Sequence, residues 1–392
     1  MRRSWPRALR RGLAVGYNLR LGLATLWLRW RQRRRPVRPW QEWRPEAVHR
    51  VLLINSTALG DLLFSTPAIR GLAERFPAWQ VDILVQSGLR PLMAADPHLH
   101  RCWGYPRSMA GFWRLARDLQ DQPYDLVIIL HGNDPEATLL ARWTGAPFLI
   151  GSAHSTLRFA YSLAVPRQGL SEHAIERRLN FVRPLGVEVQ AKQMAICLPP
   201  EVRQRAATLL TEHFGQPPQL LMALHPGGSD AYKRWPGARF VQLGRWLHQT
   251  YDANLLIIGS AGERDLGEAL ASQAGAPALV TGGRFDLLTV AGLLSHCGLL
   301  VGNDSGPYHL GLALGVPSLG LFGADAPERV GPYQAPWGQA IFQPAACPRN
   351  PCITRRCPRP LCLEAISTED VCRLIQQWWE PHFLASGKQT YV

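Results

Sequence analysis

The sequence predicts an α/β fold with two Rossmann-like domains that face each other across a cleft. From residue 50 onward, short β-branched apolar runs alternate with segments of helical periodicity, and this alternation predicts parallel sheets covered by helices. A polar, proline-rich junction at residues 198–218 interrupts the alternation, which then restarts. A chain of 392 residues is long enough for two domains of ordinary size. We divide it into a basic amphipathic arm (1–49), a first domain (50–200), a second domain (201–372) and a C-terminal helix with a tail (373–392).

Each half of the chain is predicted to alternate strands with helices. The predicted elements of the first half are strand Val51–Ile54, helix Leu62–Phe76, strand Val81–Val85, helix Gly111–Leu119, strand Leu126–Leu130, helix Pro135–Trp143, strand Phe148–Ile150 and helix Glu172–Leu185. The junction is predicted to contain the helix Glu201–Phe214. The predicted elements of the second half are strand Leu220–Leu224, helix Ala238–Thr250, strand Asn254–Ile258, helix Glu263–Ala274, strand Ala278–Val280, helix Leu287–Cys297, strand Leu299–Gly302, helix Tyr308–Leu314, strand Pro317–Phe322 and helix Thr368–Trp379. In open α/β sheets ligands bind beyond the carboxyl ends of the strands, so the residues that follow strands are the candidates for function.

The positive charge of the chain is concentrated in the arm. The formal net charge is +14, and residues 1–50 contribute fourteen arginines against two glutamates. The rest of the chain is therefore close to neutral, which argues against a nucleic-acid groove across the two domains.

The arm has an amphipathic helical pattern. One broad side of the helix carries apolar residues and the opposite side carries arginines. The apolar residues are Trp5, Leu9, Leu19, Leu23, Trp27 and Trp30, and the arginines are Arg7, Arg11 and Arg29. Arg20 interrupts this pattern. A basic helix that bears tryptophan is typical of segments that lie on an anionic membrane surface, and we favour this interpretation over a spanning helix. A disordered basic tail is the alternative, and a cleavable signal peptide is disfavoured because no clear cleavage site follows.

The loop after the first strand places a carboxylate next to free backbone N–H groups. It reads N-S-T-A-L-G-D from Asn55 to Asp61, and Asp61 begins a helical pattern. Such a turn suits an anion or a reacting hydroxyl, so Ser56, Thr57 and Gly60 are candidate acceptor-binding residues. A carboxylate that merely caps the helix is the alternative for Asp61.

The loop after the first strand of the second domain combines glycines, a hydroxyl and cations. Gly227 and Gly228 allow close approach of the backbone to a ligand, Ser229 supplies a hydroxyl, and Lys233 and Arg234 supply positive charge. A diphosphate is the ligand that uses all of these groups together, whereas a solvated surface loop would not require them.

Further loops of the second domain carry weaker signals. Asp304, Ser305 and Gly306 precede the predicted helix that contains His309, and helix N-terminal amides favour phosphate. A simple helix cap and a partly buried histidine are the alternatives here. Glu263 follows another strand and could accept hydrogen bonds from a ribose or a base, and the turn at residues 323–327 gives a still weaker signal.

Two nucleotide-binding motifs are missing from the sequence. The absence of GxxxxGK[ST] excludes a P-loop kinase, and the absence of GxGxxG after the first strand disfavours a dinucleotide oxidoreductase. The first domain therefore offers a base, and the second offers a site for a nucleotide diphosphate.

Three motifs in this order resemble glycosyltransferase family nine, the heptosyltransferases of lipopolysaccharide core assembly. They are N-S-T-A-L-G-D, H-P-G-G-S-x-x-x-K-R-W-P and G-N-D-S-G-P-x-H-L, and the resemblance covers residues 50 to about 375. It implies a GT-B architecture and inverting, metal-independent transfer from a nucleotide sugar, which is ADP-heptose in the known members. The arm lies outside the common pattern.

The resemblance also implies roles for individual residues. Asp61 would be the general base, and Lys233 would neutralise the leaving diphosphate. Together with the loop chemistry above, the resemblance gives these candidate donor-binding residues: Gly227, Gly228, Ser229, Arg234, Glu263, Asp304, Ser305, Gly306 and His309. We expect no metal or other cofactor. The expected partners are a nucleotide-sugar donor, a lipid-linked glycan acceptor and an anionic membrane surface, but not nucleic acid.

Since the sequence has no convincing secretory signal, we expect the protein in the cytoplasm, peripherally bound to the inner membrane. A catalytically silent nucleotide-sugar-binding protein and a GT-B-fold nucleotide-sugar epimerase are the alternative functions.

Two further groups of residues have no assigned role. His173, Glu176, Arg177 and Arg178 lie on one predicted helix, where a solvated face is favoured over contact with an anionic acceptor. Four cysteines recur at intervals of five residues: Cys347, Cys352, Cys357 and Cys362. Free thiols are favoured over labile disulfides, and a metal site is the least favoured because zinc ligands usually come in closer pairs.

Overall fold

Two parallel sheets form the centres of the two domains. The structure is a computed structural model that describes residue 22 and residues 25–106, 108–132, 135–169, 171–350, 352, 357 and 359–384. The strands of the first sheet are β1 (Arg50–Asn55), β2 (Gln80–Gln86), β3 (Arg101–Tyr105), β4 (Leu126–Ile129), β5 (Phe148–Ser152) and β6 (Leu163–Val165). The strands of the second are β7 (Leu221–His225), β8 (Asn254–Ile257), β9 (Ala278–Val280), β10 (Leu299–Asn303), β11 (Ser318–Phe322) and β12 (Gly338–Phe342).

Both sheets have the strand order of a doubly wound fold. The orders are β3-β2-β1-β4-β5-β6 and β12-β11-β10-β7-β8-β9, and the pairs of neighbouring strands are parallel. Each order reverses next to the first strand of its sheet, so that a crevice opens where the two halves of the sheet diverge. The prediction of two Rossmann-like domains is confirmed.

Helices cover the faces of both sheets. In the first domain they are α1 (Leu59–Leu63), α2 (Thr66–Arg75), α3 (Arg90–Met93), α4 (Met109–Gln120), α5 (Pro135–Trp143) and α6 (Ala174–Leu179). The helix α7 (Pro200–Phe214) follows, and then α8 (Gly237–Tyr251), α9 (Arg264–Ala274), α10 (Leu287–Leu294), α11 (Gly306–Ala313), α12 (Pro327–Val330), α13 (Leu361–Glu364) and α14 (Thr368–Leu374).

Three strands that the sequence analysis missed lie at sheet edges. They are β3, β6 and β12, and each pairs with one neighbour in its sheet. The central strands read as continuous apolar runs because helices cover both of their faces, and all four residues of Val51–Ile54 are fully buried. An edge strand is less enclosed, so its sequence carries a weaker pattern.

Three predicted helices differ from those observed, and one of them, predicted as Glu172–Leu185, consists of α6 and a short 3-10 helix at Arg183–Leu185. The segment predicted as Leu62–Phe76 forms two helices, because Pro67 in the first turn of α2 has no N–H to continue a helix from α1. The last predicted helix continues beyond α14 as a π-helix at Ile375–Leu384. Trp379 of this segment is buried and donates its indole N–H to the Gly298 carbonyl oxygen at 2.7 Å, so the C-terminal segment belongs to the core of the second domain.

Part of the basic arm is packed against the first domain. Residues 25–34 form a helix, which we call the arm helix, and its Leu28 is fully buried. The Trp27 ring stacks on Trp143 at 5.1 Å, and Arg31 donates to the Arg142 carbonyl oxygen at 2.9 Å. In its described part the arm is therefore not a disordered tail. The pattern positions Trp5, Arg7, Leu9, Arg11, Leu19, Arg20 and Leu23 lie outside the described residues.

Candidate functional site

A buried asparagine at the end of β1 holds the first loop in place. Asn55 donates from Nδ2 to the Asp61 carbonyl oxygen at 3.2 Å and to Ser65 Oγ at 2.8 Å. Its Oδ1 accepts the Thr57 N–H at 3.2 Å and also the Thr57 hydroxyl. The side chain of Thr57 is thus used to shape the turn. Ser56 contacts His131 instead, with 3.3 Å between its Oγ and the ring Nε2.

Asp61 lies in the first turn of α1 and forms an ion pair with the first domain's own Arg178. Its Oδ1 accepts from Arg178 Nη2 at 2.8 Å, while its side chain remains 51% exposed. The N-cap residue of α1 is Ala58, and no side-chain hydrogen bond caps the helix. The capping role considered for Asp61 is therefore not the one observed. An exposed carboxylate beside a cation remains available to a ligand.

The loop after β7 is stabilised by a carboxylate from the neighbouring strand's loop. Glu263 Oε1 accepts the Gly228 N–H at 2.8 Å, and Oε2 accepts both the N–H and the hydroxyl of Ser260 at 2.8 Å. Burial acts to raise the pKa of Glu263, but these donors outweigh it and lower the pKa. A Cβ at position 227 would lie 2.3 Å from Glu263 Oε1, so glycine is required at Gly227 for this contact.

Lys233 is held between two carboxylates of the second domain. Its Nζ is 3.1 Å from Asp304 Oδ2 and 2.8 Å from Asp325 Oδ2. Burial acts to lower the pKa of Lys233, but the two carboxylates outweigh it and raise the pKa, so the amine is charged. Burial acts to raise the pKa of Asp304, but the interactions with His309 and Lys233 outweigh it and lower the pKa. A cation in this position can bind a phosphate that displaces one of its carboxylate partners.

The remaining donor-site candidates have local partners. Ser229 donates its hydroxyl to Asp230 at 3.0 Å, and Arg234 donates to the Gly228 carbonyl oxygen from Nε at 3.0 Å and from Nη2 at 2.6 Å. Ser305 donates to the Asn303 carbonyl oxygen at 3.0 Å and does not cap α11 with its side chain. These contacts fix the loop backbone around Lys233.

A second buried asparagine joins these loops. Asn303 is fully buried at the end of β10, and its Oδ1 accepts the Trp235 N–H at 2.9 Å. Its Nδ2 donates to the carbonyl oxygens of Pro226 and Gly227 at 3.0 and 2.8 Å. Asn303 therefore connects the loop after β7 to the loop after β10.

His309 lies where the two domains meet. A Cβ at Gly60 would approach its Cδ2 to 2.9 Å, and a Cβ at Gly306 would approach the Leu59 side chain to 3.2 Å. The Phe64 ring lies 4.7 Å from the His309 ring. On the other side, His309 Nε2 is 3.5 Å from Asp304 Oδ1. The two glycines thus allow α1 and α11 to pack closely, and they bring the Asp61 turn next to the Lys233 site.

The predicted solvated face around Arg178 is wrong. His173 is buried, with its Nε2 3.2 Å from the Gly331 carbonyl oxygen and its ring stacked on Tyr333 at 4.3 Å. Glu176 bonds to Lys192, Arg183 and the Tyr333 hydroxyl, and these three donors overcome burial to lower its pKa to about 2. This helix therefore faces the second domain.

Arginines from both domains lie around Arg177, which also interacts with Asp61. Burial, together with the positive charges of Arg178, Arg167 and Arg329, lowers the pKa of Arg177 to about 10. Within the described part of the chain, the Nε atoms of Arg177, Arg178 and Arg329 are buried without a hydrogen-bond partner. Clustered cations with unused donors are costly unless an anion binds to them.

The four spaced cysteines do not form disulfides. All eight cysteines of the chain are free thiols, and Cys347 and Cys362 are buried, whereas Cys352 and Cys357 are partly exposed. Burial raises the pKa of the Cys352 and Cys362 thiols. Among the residues that the structure describes, no group of three or more His, Cys, Asp or Glu side chains is placed to hold a metal ion.

The sequence analysis did not identify His131, Asp325 or Arg329 as site residues. His131 lies two residues after the end of β4, the neighbour of β1, and Asp325 and Arg329 follow β11, the neighbour of β10. Position after a strand was thus the available signal. The turn at residues 323–327 carries a weak functional signal, but nothing in the sequence shows that Asp325 contacts Lys233.

Comparison with known proteins identifies the family. The family model described as glycosyltransferase family 9 (heptosyltransferase) matches residues 112–359, well over half of the chain. The chain belongs to glycosyltransferase family 9. Among curated relatives of this family 9 glycosyltransferase, lipopolysaccharide heptosyltransferase 3 of Escherichia coli is 26% identical over 72% of this chain and 85% of its own length. Lipopolysaccharide heptosyltransferase 1 of Pseudomonas aeruginosa is 28% identical over 79% of this chain and 87% of its own length.

Solved structures share the fold of this family 9 glycosyltransferase. The family 9 glycosyl transferase of Veillonella parvula superposes with a TM-score of 0.75 and 22% identity, covering 85% of this chain and 97% of that one. The E. coli ADP-heptose lipopolysaccharide heptosyltransferase II superposes with a TM-score of 0.69 and 18% identity, covering 86% and 100%. An E. coli heptosyltransferase solved with ADP superposes with a TM-score of 0.64 and 20% identity, and the match covers 84% of this chain and 99% of that one. The GT-B prediction is confirmed by these matches.

Proposed function

We propose that this protein is an inverting, metal-independent glycosyltransferase that moves heptose from ADP-heptose onto a lipopolysaccharide-core-type acceptor. It acts at the cytoplasmic face of the inner membrane, to which it binds peripherally. The observation that carries the proposal is the packing of Gly60 against His309, which brings Asp61 of one domain beside the Lys233 and Asp304 pair of the other. The lipopolysaccharide heptosyltransferase relatives, and a solved relative that holds ADP-2-deoxy-2-fluoro heptose, support the choice of sugar and nucleotide.

The proposed reaction is a single in-line displacement. The acceptor hydroxyl gives its proton to Asp61, and its oxygen forms a bond to the anomeric carbon while the bond from that carbon to the diphosphate oxygen breaks. The electron pair of the broken bond leaves with ADP. Asp61 suits the role of base because its side chain is half exposed and one of its oxygens is already oriented by Arg178.

The second domain stabilises the leaving diphosphate. Lys233 supplies a fixed positive charge, and the N–H groups at the start of α11 lie on the same side of the domain as Asp304 and His309. Because this charge comes from the protein, the displacement does not require a metal ion. Glu263 lies beside Gly228, where it can contact the nucleoside.

The arginine cluster provides a site for a negative group on the acceptor. Arg177 and Arg178 come from the first domain and Arg329 from the second, and all three have a buried Nε without a partner among the described residues. Phosphate and carboxylate groups bind arginine through paired donors. We expect Arg177→Met to raise the KM for the acceptor without changing the KM for the donor, and an equal rise in both would contradict this assignment.

Turnover by Asp61→Asn tests the proposal most directly. We expect kcat to fall by about 100-fold or more, which is typical for loss of a general base, while ADP binding is unchanged. Asp265→Asn, an exposed carboxylate on α9, is the matched control. Near-normal transfer by Asp61→Asn would remove the base from the mechanism. Donor binding without any transfer by the wild-type protein would indicate a silent binding protein, and conversion of the donor without acceptor would indicate an epimerase.

A further inference from the structure

The large apolar side chains that are exposed in the described chain belong to the arm helix and to two segments of the first domain. The arm helix exposes Leu26 (66%) and Trp30 (54%), the start of α4 exposes Met109 (59%) and Trp113 (46%), and a turn at Arg158–Ala160 exposes Phe159 (36%). The second domain contributes none to this set within the described residues. Exposed apolar groups that gather on one face of a protein mark an interaction surface.

Packing of the arm helix joins the three segments into one surface. Trp113 contacts the Trp143 ring edge-on at 5.3 Å, and the Trp27 ring stacks on the same Trp143 ring. Arg29 lies over the Phe159 ring at 5.7 Å. The arm helix is therefore connected to α4 through the Trp143 ring and to the Phe159 turn through Arg29.

The outward face of the arm helix combines apolar and basic groups. Leu26 and Trp30 are four residues apart and lie opposite the buried Leu28, so they point away from the domain. Arg33 and Arg34 are exposed near them, and Arg34 lies over the Trp30 ring at 5.8 Å. Residues 22–41 contain no acidic residue, so this face is positively charged.

We propose that Leu26, Trp30, Met109, Trp113 and Phe159 form a composite membrane-binding surface whose partner is the headgroup region of a bilayer that contains anionic lipid. This inference deepens the peripheral membrane binding in the proposed function and rests on it. Tryptophan and other large apolar side chains enter the boundary between headgroups and acyl chains, while arginines bind the lipid phosphates. The surface includes the domain itself, so the arm is one part of it rather than a separate anchor. None of the described helices is both long and apolar enough to cross a membrane.

Co-sedimentation of the full-length protein with vesicles tests the composite surface. One set of vesicles contains phosphatidylcholine alone, and the other contains phosphatidylcholine with phosphatidylglycerol. We expect binding to the anionic vesicles, and a partition coefficient roughly tenfold lower for Trp113→Ser and for Trp30→Ser, since each loses a large apolar contact. Trp246→Ser, a partly exposed tryptophan of the second domain, should bind as the wild type does.

Several outcomes would overturn the composite surface. Loss of binding in Trp30→Ser but not in Trp113→Ser or Met109→Ser would limit the contact to the arm. Equal binding to both kinds of vesicle would remove the anionic partner. Concentration-dependent self-association that Trp113→Ser abolishes, without any vesicle binding, would assign the surface to a second copy of the chain.

The same variants separate this inference from the proposed function. Transfer to a soluble acceptor without acyl chains should keep its wild-type kcat in Trp113→Ser, and thermal unfolding checks that the variant is folded. An enzyme that is inactive on every acceptor but still binds anionic vesicles would contradict the function and leave the surface intact.

Discussion

Replacing Asn303 by alanine should weaken the donor site, although the Asn303 side chain itself is not expected to contact the donor. The side chain is fully buried and makes three hydrogen bonds of 2.8–3.0 Å, one to Trp235 and two to the loop carbonyls of Pro226 and Gly227. A net loss of about 1 kcal/mol for each bond gives about 3 kcal/mol of unfolding free energy. For a domain of this size that is a fall in Tm of roughly 6 °C or more.

The same substitution should weaken nucleotide binding. In the wild type, Asn303 fixes the loop that carries Gly228 and the residues leading to Lys233, so ADP does not have to order it. We expect the Kd for ADP, measured by calorimetry on folded protein, to rise about tenfold, because the variant must order this loop on binding.

Asn55→Ala is the matched control in the other domain. Asn55 is equally buried and holds the Asp61 loop through bonds to Ser65 and to the Asp61 carbonyl oxygen. The Asn55→Ala substitution should lower the Tm by a similar amount and reduce kcat, yet leave ADP binding unchanged. Wild-type ADP affinity in Asn303→Ala, or an equal loss of affinity in Asn55→Ala, would refute the idea that each asparagine organises the site of its own domain.

Three other changes test the interface, its pH dependence and the cation site. Gly60→Ala should reduce kcat several-fold, since its Cβ would lie 2.9 Å from the histidine ring across the interface, whereas Gly132→Ala meets no atom within 4 Å and should be neutral. Glu176 has its pKa lowered to about 2, so its stabilising contribution is present above the unfolded value near 4.5 and is lost as the pH falls from there towards 2. Wild-type protein should therefore lose more Tm than Glu176→Gln between those two pH values, and parallel curves would contradict this. Asp325→Asn should leave Lys233 charged but less tightly held, which tightens ADP binding, and unchanged or weaker binding would show that Asp325 does not compete with the diphosphate.

The sequence predicted the central strands and the loops that follow them, but not the contacts between domains. The buried runs at Val51–Ile54 and Leu299–Gly302 are recognisable because both sheet faces are covered, whereas the edge strand Arg101–Tyr105 has no such pattern. Asp61 and Lys233 were identified because each follows a strand with a distinctive loop. The Asp61–Arg178 pair joins residues 117 positions apart, and no local pattern encodes such a distance.

The interface residues were the hardest to predict for the same reason. The sequence of a helix with two consecutive arginines is typical of a solvated face. Only the position of the packing partner shows that the face is covered. His173 and Glu176 are covered because Gly331 and Tyr333 of the second domain contact this helix. Side chains whose burial depends on a distant element carry no periodic signal of their own.

The contact between Gly227 and Glu263 has a consequence for how this enzyme can vary. A side chain at 227 would occupy the present position of the carboxylate at 263, so Glu263 would have to take another rotamer or be replaced. Either change removes the acceptor for the Gly228 N–H. Substitutions at these two positions, natural or designed, are therefore coupled through the loop that carries Gly228.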